Sequence, residues 1–139
     1  MKTVLFACTH NAGRSQMAAS IFNSIVQPGA ARAISAGTEP AVSVHPEVLM
    51  AMKELGIDLS GARPQLLTED LAASAQFLIT MGCGEKCPVV PGIEREDWEL
   101  LDPKGRPLEQ VRAIRDDIRK LVERLIATHG WGRATPGTG

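Results

Sequence analysis

Apolar positions along the chain change spacing several times, and each change marks an element. Lys2-Thr3-Val4-Leu5-Phe6-Ala7 is almost unbroken, rich in β-branched and aromatic residues, and predicts a short buried strand. From Ser15 onward Met17, Ile21 and Ile25 recur at helical spacing with Phe22 and Val26 beside them, until Gln27-Pro28-Gly29 stops the helix. Residues 31–36 predict a second strand, closed by Gly37. Pro46 then opens a helix whose stripe of Val48, Leu49, Met52 and Leu55 ends at Gly56. Residues 57–64 read as connecting loop. Thr68 caps a short helix that starts with two acids, Glu69 and Asp70. Residues 76–81 form a third strand, nearly all apolar, as expected when both faces are covered. The stretch 82–107 is irregular, with one short strand expected near Trp98-Glu99-Leu100-Leu101. Leu108, Val111, Ile114, Ile118, Leu121, Val122 and Leu125 mark the longest helix, and the charges between them form its solvated face.

Alternating strands and helices predict an α/β layer with a small parallel sheet of about four strands. A chain of 139 residues that is 44% apolar suits one domain with one core, expected over residues 1–130. Residues 131–139, rich in Gly, Pro and Thr, are expected to be a disordered tail. Net charge is −1 with both signs interspersed, which gives no nucleic-acid surface. No apolar run approaches the ~20 residues of a membrane span, and the first strand lacks the flanks of a secretion signal. The expectation is a soluble, monomeric cytoplasmic protein. Three cysteines, an odd number without an export signal, argue against a disulfide framework and for reactive thiols or a metal site.

The chemistry concentrates in Cys8-Thr9-His10-Asn11-Ala12-Gly13-Arg14-Ser15, between the first strand and the first helix. Five residues between Cys8 and Arg14 let the loop curl until thiol and guanidinium converge on one point. The intervening N–H groups and the helix N-terminus would face the same point, which makes it a site for an oxyanion. A positive helix end and a nearby Arg also favour a thiolate over a thiol. The plainer reading is a small buried Cys at a strand end and a surface Arg at a helix start.

A second constellation, Cys83-Gly84-Glu85-Lys86-Cys87-Pro88, follows the third strand and so starts from the same sheet edge as Cys8. Gly82 and Gly84 loosen it, and a spacing of that size closes into a disulfide if the loop bends. Half a zinc site or two unrelated thiols are the bland alternatives. Zinc sites usually cluster their ligands in pairs, whereas His10, His45 and His129 are scattered singly. No metal is expected.

The loop resembles the phosphate-binding loop of low-molecular-weight protein tyrosine phosphatases and of the related thioredoxin-coupled arsenate reductases, and its continuation Arg14-Ser15-Gln16-Met17-Ala18 is especially similar to the reductases. The resemblance runs from Met1 to about His129 and implies the three-layer α/β fold of that family. It implies an anion held by Thr9, His10, Asn11, Ala12, Gly13, Arg14 and Ser15, a nucleophilic Cys8, and Asp102 of the Asp102-Pro103 pair as proton donor. Asn11 would brace the loop and Ser15 would bond the thiolate. Cys83 and Cys87 match the two redox cysteines of the reductases, which pass a disulfide from Cys8 outward. No bound cofactor is implied; reducing equivalents come from thioredoxin or a low-molecular-weight thiol. Reductases that hold potassium near the loop use acids where this chain has Ala19 and Gln65. Phosphatases of this kind commonly carry an aromatic residue after the Asp-Pro pair, whereas Lys104 follows here and the chain has no Tyr. Arsenate reduction to arsenite is therefore the expected activity. Two alternatives stand: a phosphate monoester hydrolase of the same fold, and a non-enzymatic binder of arsenite or soft metals through thiolates.

Overall fold

The computed structural model describes residues 1–82 and 92–132; Cys83 and Cys87 lie outside the described residues. Eight elements are described: β1 (Lys2–Cys8), α1 (Arg14–Ile25), β2 (Ala31–Gly37), α2 (Pro46–Lys53), α3 (Glu69–Ala73), β3 (Phe77–Thr80), β4 (Glu94–Asp97) and α4 (Leu108–His129). The four strands form one parallel sheet in the order β2-β1-β3-β4, so the first strand is central. Cys8 pairs with Gly37 at the end of β2, and Ala7 with Thr80 at the end of β3. The loop after Cys8 thus leaves the C-terminal edge between two neighbouring strand ends, where parallel sheets place their ligands.

Alternation along β1 divides the core into two. Val4, Phe6 and Cys8 join the larger cluster with Met17, Ile21 and Phe22 of α1 and Ile114, Ile118 and Val122 of α4. Leu5 and Ala7 face the other way, onto Leu78, Leu67 and Ala72 of α3. This is the three-layer α/β arrangement expected from the sequence. Phe6 is fully buried against Phe22 and Trp98, at ring-centroid distances of 6.0 and 5.6 Å. Burial of a side chain of this size contributes about 1.5–3 kcal/mol. Thr68 caps α3 by accepting from the Leu71 N–H, and Pro46 occupies the first turn of α2.

Two sequence expectations shift. The strand expected near residues 98–101 is instead β4, all four of whose residues are exposed. An edge strand made of Glu-Arg-Glu-Asp carries no hydrophobic signal, whereas Trp98 drew attention because it is the buried residue just beyond the strand. Its N–H donates to the Thr80 carbonyl at 2.8 Å. Trp131, which the composition assigns to a tail, is core. After Gly130 (φ +71°) the chain turns back, and Trp131 packs edge-on against Phe22 and Phe77 at 6.0 and 5.3 Å. Its carbonyl accepts from the Gln27 N–H at 2.8 Å. Residues 133–139 lie outside the described residues.

Candidate active site

Residues 38–45, which connect β2 to α2, wrap the loop between β1 and α1 from outside. The N–H groups of Thr38, Glu39, Ala41 and His45 donate to the carbonyls of Cys8, Thr9, His10 and Ala12, at 3.2, 2.8, 2.9 and 3.0 Å. Four carbonyls drawn outward turn the peptide planes so that loop N–H groups face inward. Gly37 makes the close approach feasible, since a Cβ there would stand 2.6 Å from the Thr9 carbonyl oxygen and 2.9 Å from the Asn11 nitrogen. Helix α1 begins at Arg14 after Gly13, without a side-chain cap. Its first N–H groups therefore remain for a ligand.

Asn11 takes a left-handed conformation (φ +51°), which Asn tolerates better than most residues. Its side chain is fully buried and sets the polarity of a relay of hydrogen bonds. The Gln65 backbone N–H and Gln16 Nε2 donate to Asn11 Oδ1 at 2.9 and 3.2 Å. Because a backbone N–H can only donate, the amide must point its Nδ2 at Ser15 Oγ, 2.7 Å away. Ser15 thereby accepts from Asn11, and its Oγ lies 2.9 Å from Cys8 Sγ, in a hydrogen bond that either atom can donate. A thiolate can only accept, and the Ser15 hydroxyl is placed to donate to one.

Arg14 is 7% exposed and lies between three segments. Its Nη1 reaches the Leu100 carbonyl at 3.5 Å, and its Nη2 stands 3.7 Å from Asp102 Oδ2. On the third side a Cβ built at Gly82 would overlap the guanidinium, and Gly82 also has φ +101°. Thr9 Oγ1 donates to the Gly82 carbonyl at 3.3 Å. Asp102 is half-buried, with the Lys104 N–H on its Oδ1 at 3.0 Å, while Pro103 is buried beside Gly13. The fold thus sets Cys8 and the loop from Thr9 to Ser15 at one edge of the sheet, with Asp102 beside Arg14. His10 is half-exposed on that loop.

His45 was not among the residues the sequence singled out. It precedes Pro46 at the start of α2, and its ring comes within 3.6 Å of where a Gly13 Cβ would lie. Burial lowers its pKa from the ordinary 6.5, with Lys104 and His10 acting the same way and Asp102 and Glu47 opposing. A His whose folded pKa is depressed contributes stability that is present above its unfolded pKa and lost as pH falls through the folded value. His45→Asn is expected to flatten the acid side of the melting-temperature profile just below pH 6.5, read by thermal denaturation across pH. A variant profile that falls as steeply as the parent's would assign that limb to other groups. Gly37, Gly82, Gln16 and Gln65 also support the site in ways the sequence did not signal. Their roles are close approaches and amide partners that only the folded loop defines.

Residues 3–130 match the model of the family described as low molecular weight phosphotyrosine protein phosphatase. The glutaredoxin arsenate reductase of Synechocystis sp. is 37% identical over 130 residues, covering 91% of this chain and 98% of that one. The thioredoxin-dependent arsenate reductase of Corynebacterium glutamicum superposes with a TM-score of 0.82 at 36% identity. That likeness covers 94% of this chain, which spans only 62% of the Corynebacterium chain. The arginine phosphatase of Geobacillus stearothermophilus superposes with a TM-score of 0.77 at 28% identity, over 92% of each chain.

Proposed function

The chain belongs to the low molecular weight phosphotyrosine protein phosphatase family, and from that premise we propose that it is an arsenate reductase working through a three-thiol relay. Arsenate sits in the loop with Arg14 forked onto two of its oxygens. The Cys8 thiolate attacks arsenic, and Asp102 protonates the departing hydroxide, which leaves as water. Cys83 then attacks the Cys8 sulfur; the electron pair of the sulfur–arsenic bond passes to arsenic, and arsenite leaves behind a Cys8–Cys83 disulfide. Cys87 attacks Cys83, which frees Cys8 and moves the disulfide to Cys83–Cys87 for reduction by thioredoxin or a small thiol. The net change is one arsenate and two thiols converted to arsenite, one disulfide and water. The enzyme acts as a cytoplasmic monomer, in a compartment that keeps its thiols reduced.

The observation that carries this reading is the seat of Gly82. It lies against the Arg14 guanidinium and accepts from Thr9, so the residue preceding Cys83 already touches the anion loop. The flanks of the Asp102-Pro103 pair, Leu101 and Lys104, are exposed, and neither is aromatic. The arginine phosphatase likeness favours a second reading, phosphate monoester hydrolysis by Cys8, Arg14 and Asp102 alone. Arsenate-dependent NADPH oxidation with thioredoxin and thioredoxin reductase, run beside a phosphate-ester assay, separates the two. Sustained NADPH oxidation is the expected result; ester hydrolysis without it would transfer the reading to the phosphatase.

Asp102→Asn is expected to slow single-turnover arsenite release roughly 10²-fold, within the range of general acids. Sulfate should still protect Cys8 from alkylation in that variant, because the cradle is built from the loop. Unchanged release would remove Asp102 from the chemistry, and lost protection would make it part of the cradle.

A further inference from the structure

Gly13 lies where the anion loop, the α2 start and the Asp102 turn meet. A Cβ at Gly13 would fall 2.5 Å from Pro103 Cγ and 3.4 Å from Pro103 Cδ, with the His45 ring 3.6 Å away. Carbon atoms pack at about 3.5–4.0 Å, so any side chain here requires Pro103 and the loop to separate by about 1 Å. The turn that carries Pro103 is tied to itself. Lys104 N–H bonds Asp102 Oδ1 at 3.0 Å, Arg106 N–H bonds the Pro103 carbonyl at 3.2 Å, and Arg106 Nε bonds the Asp102 carbonyl at 2.6 Å. Gly105, at φ +72°, completes the reversal. A push on Pro103 therefore moves Asp102 with it. Of the two carboxylate oxygens, Oδ1 is held inside the turn, while Oδ2 faces Arg14 Nη2 at 3.7 Å.

We propose that Gly13 is a positioning residue for the proton donor, its bare Cα serving as the seat on which Pro103 sets the distance of Asp102 from the bound oxyanion. The inference rests on the assignment of Asp102 as proton donor. Gly13 touches neither thiol nor guanidinium chemistry in this role; it acts through the turn. A misplacement of about 1 Å at a reacting group can cost on the order of 10²-fold in rate.

The test is a double-mutant cycle of Gly13→Ala, Pro103→Ala and the pair, read as single-turnover arsenite release and as hydrolysis of phenyl phosphate. The phenolate leaving group needs a proton too, so the cycle can be read even if the protein does not reduce arsenate. That failure would sink the functional reading without touching this one. Gly13→Ala is expected to slow the chemical step roughly 10- to 100-fold while sulfate still protects Cys8 from alkylation. Pro103→Ala removes the clashing Cγ, so the double variant should recover to within about 3-fold of Pro103→Ala alone, a coupling typical of residues in contact. The Gly13→Ala loss should also be small in the Asp102→Asn background, where no donor remains to misplace. A double variant as slow as Gly13→Ala would overturn the proposal, and so would loss of sulfate protection in both Gly13 variants, since either places the effect in the anion loop itself.

Discussion

Arg14→Ala is expected to lower kcat/KM for arsenate by about 10³-fold or more, since loss of a single oxyanion donor alone costs roughly 10²–10³-fold. The guanidinium is nearly buried, and it is the cation facing both the loop and Asp102. Its removal takes away a forked pair of charge-assisted hydrogen bonds to the anion. It also leaves Asp102 Oδ2 without its cationic neighbour and opens a space between Gly82 and the Leu100 carbonyl. Arg14→Lys should recover little, because an ammonium cannot make the planar fork. Sulfate protection of Cys8 should vanish with turnover, which separates this loss from that of Asp102→Asn. Near-normal turnover by Arg14→Ala would contradict an oxyanion cradle and fit a thiolate trap.

The second large effect concerns the outer thiols. Cys87→Ser should release about one arsenite per chain and then stall, because no thiol remains to carry the disulfide outward. Peptide mapping of the stalled protein should join Cys8 to Cys83. Cys83→Ser should lose even that single event when no external thiol is supplied. Hydrolysis of a phosphate ester should persist in both, since it requires Cys8, Arg14 and Asp102 alone. Sustained thioredoxin-driven turnover by Cys87→Ser would exclude this order of transfer and point to direct reduction at Cys83.

Much of the fold is legible because its signals are local. The central strand is an apolar run, α1, α2 and α4 carry their stripes, and Thr68 and Pro46 mark where helices begin. What escaped the pattern has a physical reason in each case. β4 is a polar edge strand held by its ladder with β3, so its own side chains carry no periodic signal. Trp131 sits among Gly and Thr, yet the turn at Gly130 returns it to Phe22 and Phe77.

The site divides the same way. Cys8, Arg14 and Ser15 are close in sequence, and their spacing, set between a strand and an amphipathic helix, suggests convergence. The Asn11 brace depends on Gln65, fifty-four positions away, and the seat of Asp102 depends on an absent atom at Gly13. Long-range partners and missing side chains leave no mark in a linear pattern. The second pair of thiols is legible in sequence, as Cys83 and Cys87, and lies outside the described residues.

In the proposed relay the protein's own thiols supply the two electrons that convert arsenate to arsenite. Fully reduced protein, freed of external thiol and mixed with excess arsenate, should release one arsenite per chain. Two free thiols per chain should disappear, and mapping should find Cys83 joined to Cys87 with Cys8 alkylatable. Three retained thiols and no arsenite, from protein that still hydrolyses a phosphate ester, would contradict it.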